Sequence, residues 1–429
     1  MNRLLLSLFA MLLPAVAFAD SPTWTRFQNG GKMTAEGKFP KTWSPDENIA
    51  WTADIEGYGQ SSPIVAHQQV VVTSTSGDNK DNCHVTSFSL TDGSKNWQVD
   101  LVNPTPYKNT PMVSRAAPSA IATDAGFVAF FEGGALVGID ANGKTTWQRD
   151  LVSEFGKIEA RHGIAASLES DGQSVFVWVE RGEDPYVMAI DPATGESRWK
   201  VPGVGATAWG SPRLVPVAGG QHLVCSAIGK IVGLDPNTGD RLWEFDEIAN
   251  NSSNTPTPAG DGCFLIGAST GRGESSSGNA AANNGLIQIS KSADGTWNAA
   301  FKWQAKKATS SFGSPVIAGN TAAYVNRSGV LYRLDLETGQ QVSVERTDVG
   351  GIWATPLVVG DMLYLFGYKG TTIVMSLTDG KEIAENRCWP AGGDGNNAPG
   401  FGGNVLYAAT PVNNQLLIRR GDRLYAVGK

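Results

Sequence analysis

The sequence predicts an all-β fold, an eight-bladed β-propeller of four-stranded antiparallel blades. Three observations lead there. A unit of about fifty residues recurs along most of the chain, and glycine makes up 51 of 429 residues, above the usual share of roughly 7%. An isolated strand near the N-terminus also complements an incomplete unit at the C-terminus. The composition, 41% hydrophobic and 17% charged, is that of a chain that buries a core. Its glycines have no three-residue period, so it is not collagen-like. A formal charge of −7 without any run of Lys or Arg argues against a nucleic-acid partner, because phosphates demand a basic surface.

Residues 1–19, MNRLLLSLFAMLLPAVAFA, read as an export signal. Arg3 starts it, Leu4 to Val16 form its apolar stretch, and Ala17-Phe18-Ala19 fits a small-x-small cleavage site. The mature chain is expected to begin at Asp20, with the charge moved to −8 by the loss of Arg3. No cysteine lies near that site, so no lipid anchor is expected. Nothing later approaches the ~18 consecutive apolar residues of a spanning helix. The reading is a periplasmic or secreted protein without membrane insertion, with a leader over 20–47 and the propeller over 48–429.

Each unit opens with a small residue and Pro, continues through three apolar strands, turns at Asp and Gly, and ends on Trp. The clearest copies are SSPIVAHQQVVVTST…CHVTSFSLTDGSKNWQVDL and GSPRLVPVAGGQHLVCSAIGKIVGLDPNTGDRLWEFD. Pro63, Pro118, Pro212, Pro256, Pro315, Pro356 and Pro411 open units, and Ala165-Ala166 replaces the Pro step in one more. Four short runs separated by turn residues make a meander. A lone meander cannot bury both faces, so such units stack radially. The last unit, ATPVNNQLLIRRGDRLYAVGK, has three strands, and NIAWTADI (48–55) supplies the fourth, with Trp51 in the place of the unit-ending Trp. Pairing the two closes the ring and removes its exposed edges. Eight blades is the prediction, and seven is the alternative.

The turn has a fixed spacing, Ala189-x-Asp191-x-x-Thr194-Gly195-x-x-x-Trp199. Asp235, Thr238, Gly239 and Trp243 repeat it, and Asp140, Gly143 and Trp147 repeat it with one residue deleted. Asp335, Thr338 and Gly339 repeat the turn with Ser343 where Trp is expected. Asp accepts hydrogen bonds from turn amides, Gly supplies a positive φ, and Trp buries a ring between blades. These residues are structural. The spacing resembles the tryptophan-docking motif of PQQ-like (pyrroloquinoline-quinone-like) propeller repeats, over roughly 48–429.

That resemblance implies a choice. Quinone-dependent dehydrogenases of this repeat type carry a vicinal Cys-Cys disulfide, and some carry C-x-x-C-H. Here the cysteines stand at 83, 225, 263 and 388, so neither PQQ nor Ca²⁺ is favoured as a cofactor. The cysteines themselves read as free buried thiols or as bridges, with no C-x-x-C for zinc. In length the chain is similar to the outer-membrane barrel-assembly propeller lipoprotein, a protein-binding scaffold. Its leader, TWTRFQNGGKMTAEGKFPKTWSPDENIAW, looks like that of secreted PQQ-like repeat proteins of planctomycete-type bacteria.

Other motifs carry less. Gly267-Ala268-Ser269-Thr270-Gly271 fits a nucleophile elbow, but the polar RGESSSGNAAANN that follows has no helical period. His67, His84, His162 and His222 have no metal-ligand spacing. The oxygen-rich turns 78–82 and 394–397 complete no calcium loop. Topology is more informative. In a meander the long segments 76–82, 102–115, 180–185, 271–285 and 389–403 share one face, opposite the Asp-Thr-Gly turns. The residues just before each opening step line the channel mouth there: Gln60, Arg115, Arg161, His162, Trp209, Asn254, Phe312 and Trp353. They either plug the channel or contact a ligand. The reading is an exported, monomeric, non-enzymatic binding or scaffold propeller of the cell envelope, with a protein or glycan partner on this face. The alternative is a quinoprotein-type oxidoreductase or a polysaccharide-active enzyme.

Overall fold

The computed structural model describes residues 23–108, 113–160, 162–181, 183–206, 209–251, 253–269, 280–390 and 406–428. Within them the strands form eight four-stranded antiparallel sheets, seven of them meanders of successive strands and one built from both ends of the chain, with a short parallel strand added to one. Blade 1 runs through Ile64–Ala66, Gln69–Ser76, Asn82–Ser89 and Lys95–Val102. Blades 2 to 7 open at Ile121, Glu169, Arg213, Thr257, Val316 and Leu357. Blade 8 takes Leu406–Val412, Gln415–Arg420 and Arg423–Val427 from the C-terminus and Ile49–Asp54 from the N-terminus, which pairs antiparallel with Arg423–Val427. The ring therefore has eight blades, closed by the N-terminal strand.

Burial follows position within a blade. In blade 3 every residue of the second strand, Val175–Val179, and of the third, Tyr186–Ile190, is buried. The outer strand, Ser197–Pro202, alternates exposed and half-buried residues. Period-two alternation is thus confined to the rim, and the middle strands read as apolar runs because both their faces meet neighbouring blades.

Two sets of contacts join the blades. At the channel, a backbone N–H of each of blades 1 to 6 donates to a hydroxyl of the next. Ser62 N donates to Ser119 Oγ (2.9 Å), Ser119 N to Ser167 Oγ (3.0 Å) and Ser167 N to Ser211 Oγ (2.9 Å). Ser211 N donates to Thr255 Oγ1 (3.0 Å), Thr255 N to Ser314 Oγ and Ser314 N to Thr355 Oγ1 (both 3.1 Å). The small residue of the opening step is therefore specifically a hydroxyl. The belt also sets the alignment of the blades: its hydroxyl precedes Pro63 but follows Pro118, so those two prolines are not equivalent.

At the rim, docking Trp side chains of several blades reach the next blade's turn. Trp147 Nε1 donates to Pro192 O (2.9 Å), and a Cβ on Gly195, whose φ is +74°, would stand 2.6 Å from the Trp147 ring. Only glycine fits that contact and that backbone. Trp199 Nε1 bonds Pro236 O (3.0 Å), Trp303 Nε1 bonds Leu336 O (2.9 Å), and Trp51 Nε1 bonds Leu90 O (3.2 Å) across the closure. A one-residue register shift beside the Trp pairs Ala189 with Trp199 and Ile190 with Ser197. This bulge turns the ring toward its neighbour. In blade 6, where Ser343 replaces Trp, Arg333 takes over. Its guanidinium donates to Ser343 Oγ (2.7 Å), to Glu345 Oε1 (2.9 Å) and to Leu377 O in the turn of blade 7.

The leader does not lie apart from the ring. Trp24 exchanges backbone hydrogen bonds with Val65 (2.8 and 2.9 Å), and Ala122 N donates to Thr25 O (2.8 Å). Arg26 pairs with Glu169 at 2.6 Å, and Arg213 joins Glu169 at 2.9 Å and Gln28 Oε1 at 3.1 Å. Gln28 Nε2 reaches Thr355 Oγ1 at 2.7 Å, and Thr34–Ala35 pairs in parallel with Val358 and Val359 of blade 7. The segment crosses the channel and then runs out between blades 7 and 8. There Trp43 N donates to Asn386 Oδ1 (2.8 Å), and Tyr364 Oη donates to Pro40 O (3.0 Å). It fills the junction where the chain ends interrupt the outer hairpin of blade 8.

The four cysteines are free and buried, on blades 1, 4 and 5 and just after blade 7. Burial raises their thiols, that of Cys388 to about 12, which keeps them protonated and unreactive.

Replacing Trp51 by Ala removes a ring buried between the last blade and the first. It is expected to cost on the order of 3–5 kcal/mol in denaturant unfolding. Arg333→Ala leaves the Leu377 carbonyl without its donor and is expected to cost on the order of 2 kcal/mol in the same measurement.

Candidate functional site

The antiparallel order places the loop that enters each blade and the loop between its second and third strands on one face. Four of the predicted mouth residues meet there as a run of rings. His162 stands 5.6 Å from Trp209, Trp209 lies edge-on to Phe312 at 4.9 Å, and Phe312 lies edge-on to Trp353 at 5.7 Å. Tyr368 continues the run, stacked on Trp353 at 5.5 Å and 25°. Arg327 stands over the Phe312 ring at 5.7 Å, and Lys369 over Tyr368 at 6.0 Å. The rings of Trp209, Phe312 and Trp353 are half-buried, the state of an amphipathic contact surface.

The remaining predicted residues are placed differently. Gln60 and Arg115 brace each other: Gln60 N donates to Arg115 O (3.0 Å), and Arg115 N donates to Gln60 Oε1 (2.7 Å). The Arg115 guanidinium covers Tyr58 at 5.1 Å. Asn254 is fully buried beneath the rim, with its Nδ2 donating to Ser311 O at 3.3 Å. A Cβ on Gly267 would come within 2.1 Å of its Oδ1, so glycine is what lets this amide fit. Arg161 lies outside the described residues.

Sequence reasoning missed Tyr368, Arg327 and Tyr58. The first two sit between the second and third strands of blades 7 and 6, on the mouth face. Scanning those loops for aromatics and cations, as the opening steps were scanned, would have found them.

Below the rings lies a cavity of about 170 Å³. Its floor is the leader, through Trp24, Phe27, Gln28 and Met33. Its wall is the hydroxyl belt, and among the described residues no charged side chain lines it. The leader therefore blocks one end of the channel, and the aromatic run frames the other.

The loops that bear on the mouth are held by buried charge. Lys80, in the turn 78–82, is fully buried. Its ammonium donates to Ser114 O, lies 3.4 Å from Glu132 and faces the Tyr107 ring at 3.7 Å. Desolvation lowers its pKa, opposed by Glu132. An ammonium rooted in that turn makes it a poor cation loop. The Asp81 carboxylate is used locally, accepting from Asn79 N at 3.2 Å. Among the described residues no group of three or more His, Cys, Asp or Glu could hold a metal. Ser269 bridges to Ser310 in a strand-like pair and donates its N–H to Asn250 O at 3.2 Å. The rest of that motif, and the turn 394–397, lie outside the described residues.

Glu180, at the start of the 180–185 loop, has its carboxyl pushed up to about 7 by burial. The folded state holds this proton across a window in which the unfolded chain releases it, so stability falls as pH rises toward 7. Glu180→Gln is expected to flatten that slope. The gain relative to the parent between about pH 5 and about pH 8 should be about 1–2 kcal/mol by thermal melts, discounted for the solvent that reaches the group.

Comparison with known proteins agrees with this architecture. The chain is 24% identical over 314 residues to outer membrane protein assembly factor BamB of Burkholderia pseudomallei, covering 70% of this chain and 71% of that one. The corresponding protein of Pseudomonas aeruginosa is 30% identical over 172 residues, covering 38% and 40%. Among solved structures, BamB from Moraxella catarrhalis superposes with a TM-score of 0.58 at 15% identity, over 88% of this chain and 96% of that one. A europium-containing methanol dehydrogenase superposes at 0.57 and 12% identity, over 93% and 90%. At such identities these structures share the fold alone. The model of the PQQ_2 family, described as outer membrane protein assembly factor BamB, matches residues 35–182 and 183–426, and the chain belongs to that family.

Proposed function

We propose that this chain is an exported, non-enzymatic scaffold of the cell envelope that docks an envelope protein on the face carrying the long loops. The observation that carries the reading is the run of rings from His162 to Tyr368 at the mouth of a channel whose other end is filled by the leader. Half-buried aromatics flanked by Arg327 and Lys369, on a rigid frame, have the composition of interface hot spots. The family supports the role, since its relatives bear the name of outer membrane protein assembly factors. The export signal over 1–19 and the absence of a lipid-attachment cysteine beside it belong to this proposal. Among the described residues no helix is long and apolar enough to cross a membrane.

Trp209→Ala and Trp353→Ala separate docking from packing. Loss of envelope-protein capture at a near-parental melting temperature is the expected result. Lost stability with unchanged capture would assign the rings to packing alone.

The enzymatic alternative has its own test. Mixing the purified protein with PQQ and Ca²⁺, followed by gel filtration, is expected to leave no cofactor absorbance in the protein peak and no dye reduction with alcohols or sugars. Stoichiometric retention of the quinone would promote the oxidoreductase.

A further inference from the structure

The cavity between the aromatic run and the leader has a chemistry distinct from that of the docking face around it. Its volume, about 170 Å³, exceeds the ~30 Å³ liquid share of a single water. It falls short of the ~300–1,000 Å³ of sites that hold drug-sized ligands. A polymer or a folded partner cannot enter it, and a single small ring can.

Its lining is aromatic and hydroxylic. Trp24, Trp209 and Trp353 present rings, and the wall presents hydroxyls of Ser62, Ser253, Thr255, Ser314 and Thr355. Three of these are committed as acceptors. Thr255 Oγ1 takes the N–H of Ser211, Ser314 Oγ that of Thr255, and Thr355 Oγ1 those of Ser314 and Gln28. Ser62 and Ser253 are different. They are 9% and 7% exposed, they line the cavity, and their hydroxyls have no partner among the described residues. Their oxygens open onto the chamber, where water or a ligand can meet them. Each can both donate to and accept from whatever occupies the chamber.

The charge pattern narrows the class. Among the described residues no Asp, Glu, Lys, Arg or His lines the chamber, so an ionised ligand would be desolvated there without a counter-charge from them. Flat aromatic faces suit a ring with exposed C–H groups, and scattered neutral hydroxyls suit a polyol.

We infer that this chamber binds a small neutral polyhydroxy compound of about hexose size, packed against the aromatic rings of its lining and hydrogen-bonded by Ser62 and Ser253. The inference does not depend on protein docking at the face above. Either can hold while the other fails.

The test titrates the full mature protein with D-glucose, N-acetyl-D-glucosamine and, as the charged control, D-glucuronate, following tryptophan fluorescence and the melting temperature. Saturable, millimolar binding of a neutral sugar is expected, with glucuronate weaker by on the order of tenfold. Ser253→Leu fills the chamber without touching the belt and is expected to abolish the response at a near-parental melting temperature. Should that variant misfold, Ser62→Ala retains the space, removes one hydroxyl, and is expected to weaken binding several-fold. No saturable response to either neutral sugar marks a chamber filled by water alone and overturns the inference. Equal binding of glucuronate, or a response unchanged in both variants, overturns it as well.

Discussion

The hydroxyl belt is the constraint from which the rest of the molecule follows. Eight inner strands surround one axis, and just ahead of six of them an N–H points sideways toward the next blade. Left unmet, a buried amide of this kind costs about 1–3 kcal/mol. From Ser62 to Thr355, six such amides are met by the hydroxyl of the following blade. Ser and Thr are small enough for the axis and still accept. Between blades 8 and 1 the pattern changes: Thr410 Oγ1 donates to Pro63 O at 2.9 Å, and the fully buried Arg419 reaches Thr73 O at 2.8 Å. The junction that closes the ring from two distant parts of the chain is thus clamped by a guanidinium. A cation in that position gathers several carbonyls at once.

With the inner edge fixed, the outer edge decides how tightly neighbouring blades lean together. Docking tryptophans do this where a turn with Gly faces them. Where the pattern lapses, other residues take the load: Arg333 between blades 6 and 7, and Trp43 of the leader between blades 7 and 8. The lapse leaves Val342, Val344 and Ile383 exposed on the outer strands of blades 6 and 7. Blade 4 departs in another way, since Trp243 Nε1 turns inward to His222 Nδ1 at 3.0 Å and its ring stacks on Phe264 of blade 5.

What was legible in the sequence was whatever repeats. The apolar middle strands, the Asp-Gly turns, the docking Trp and the complementary terminal strands recur at a spacing, and each copy strengthens the others. Convergence of the opening steps on one mouth followed from topology, and it brought His162, Trp209, Phe312 and Trp353 together. What occurs once was not legible. The path of the leader rests on contacts such as Gln28 with Thr355 and Arg213 with Phe27, hundreds of residues apart, and no period announces them. Asn254 occupies a rim position in sequence and a buried one in space, because Gly267 leaves a hollow that draws the amide inward. Arg333 is the complement of a visible gap: Ser343 showed that a Trp was missing, but only the register Arg333–Ser343 shows which side chain replaces it.

The leader turns an eight-fold ring into a molecule with two unlike ends. An open propeller offers a through-channel whose two mouths are both candidates for binding. Here Trp24 and Gln28 occupy the channel from one side and bond to blades 1, 6 and 7, and a recess lies between them and the rings at the other mouth. That recess has a rigid floor and a wall whose hydroxyls are mostly committed to holding blades together. Side chains mounted on such a wall lose little further freedom when something binds, which lowers the entropic cost of association. The arrangement favours a rim that is set before its partner arrives. Two depths carry two kinds of residue: hydroxyls at the belt hold the ring, and the half-buried rings above them line the mouth.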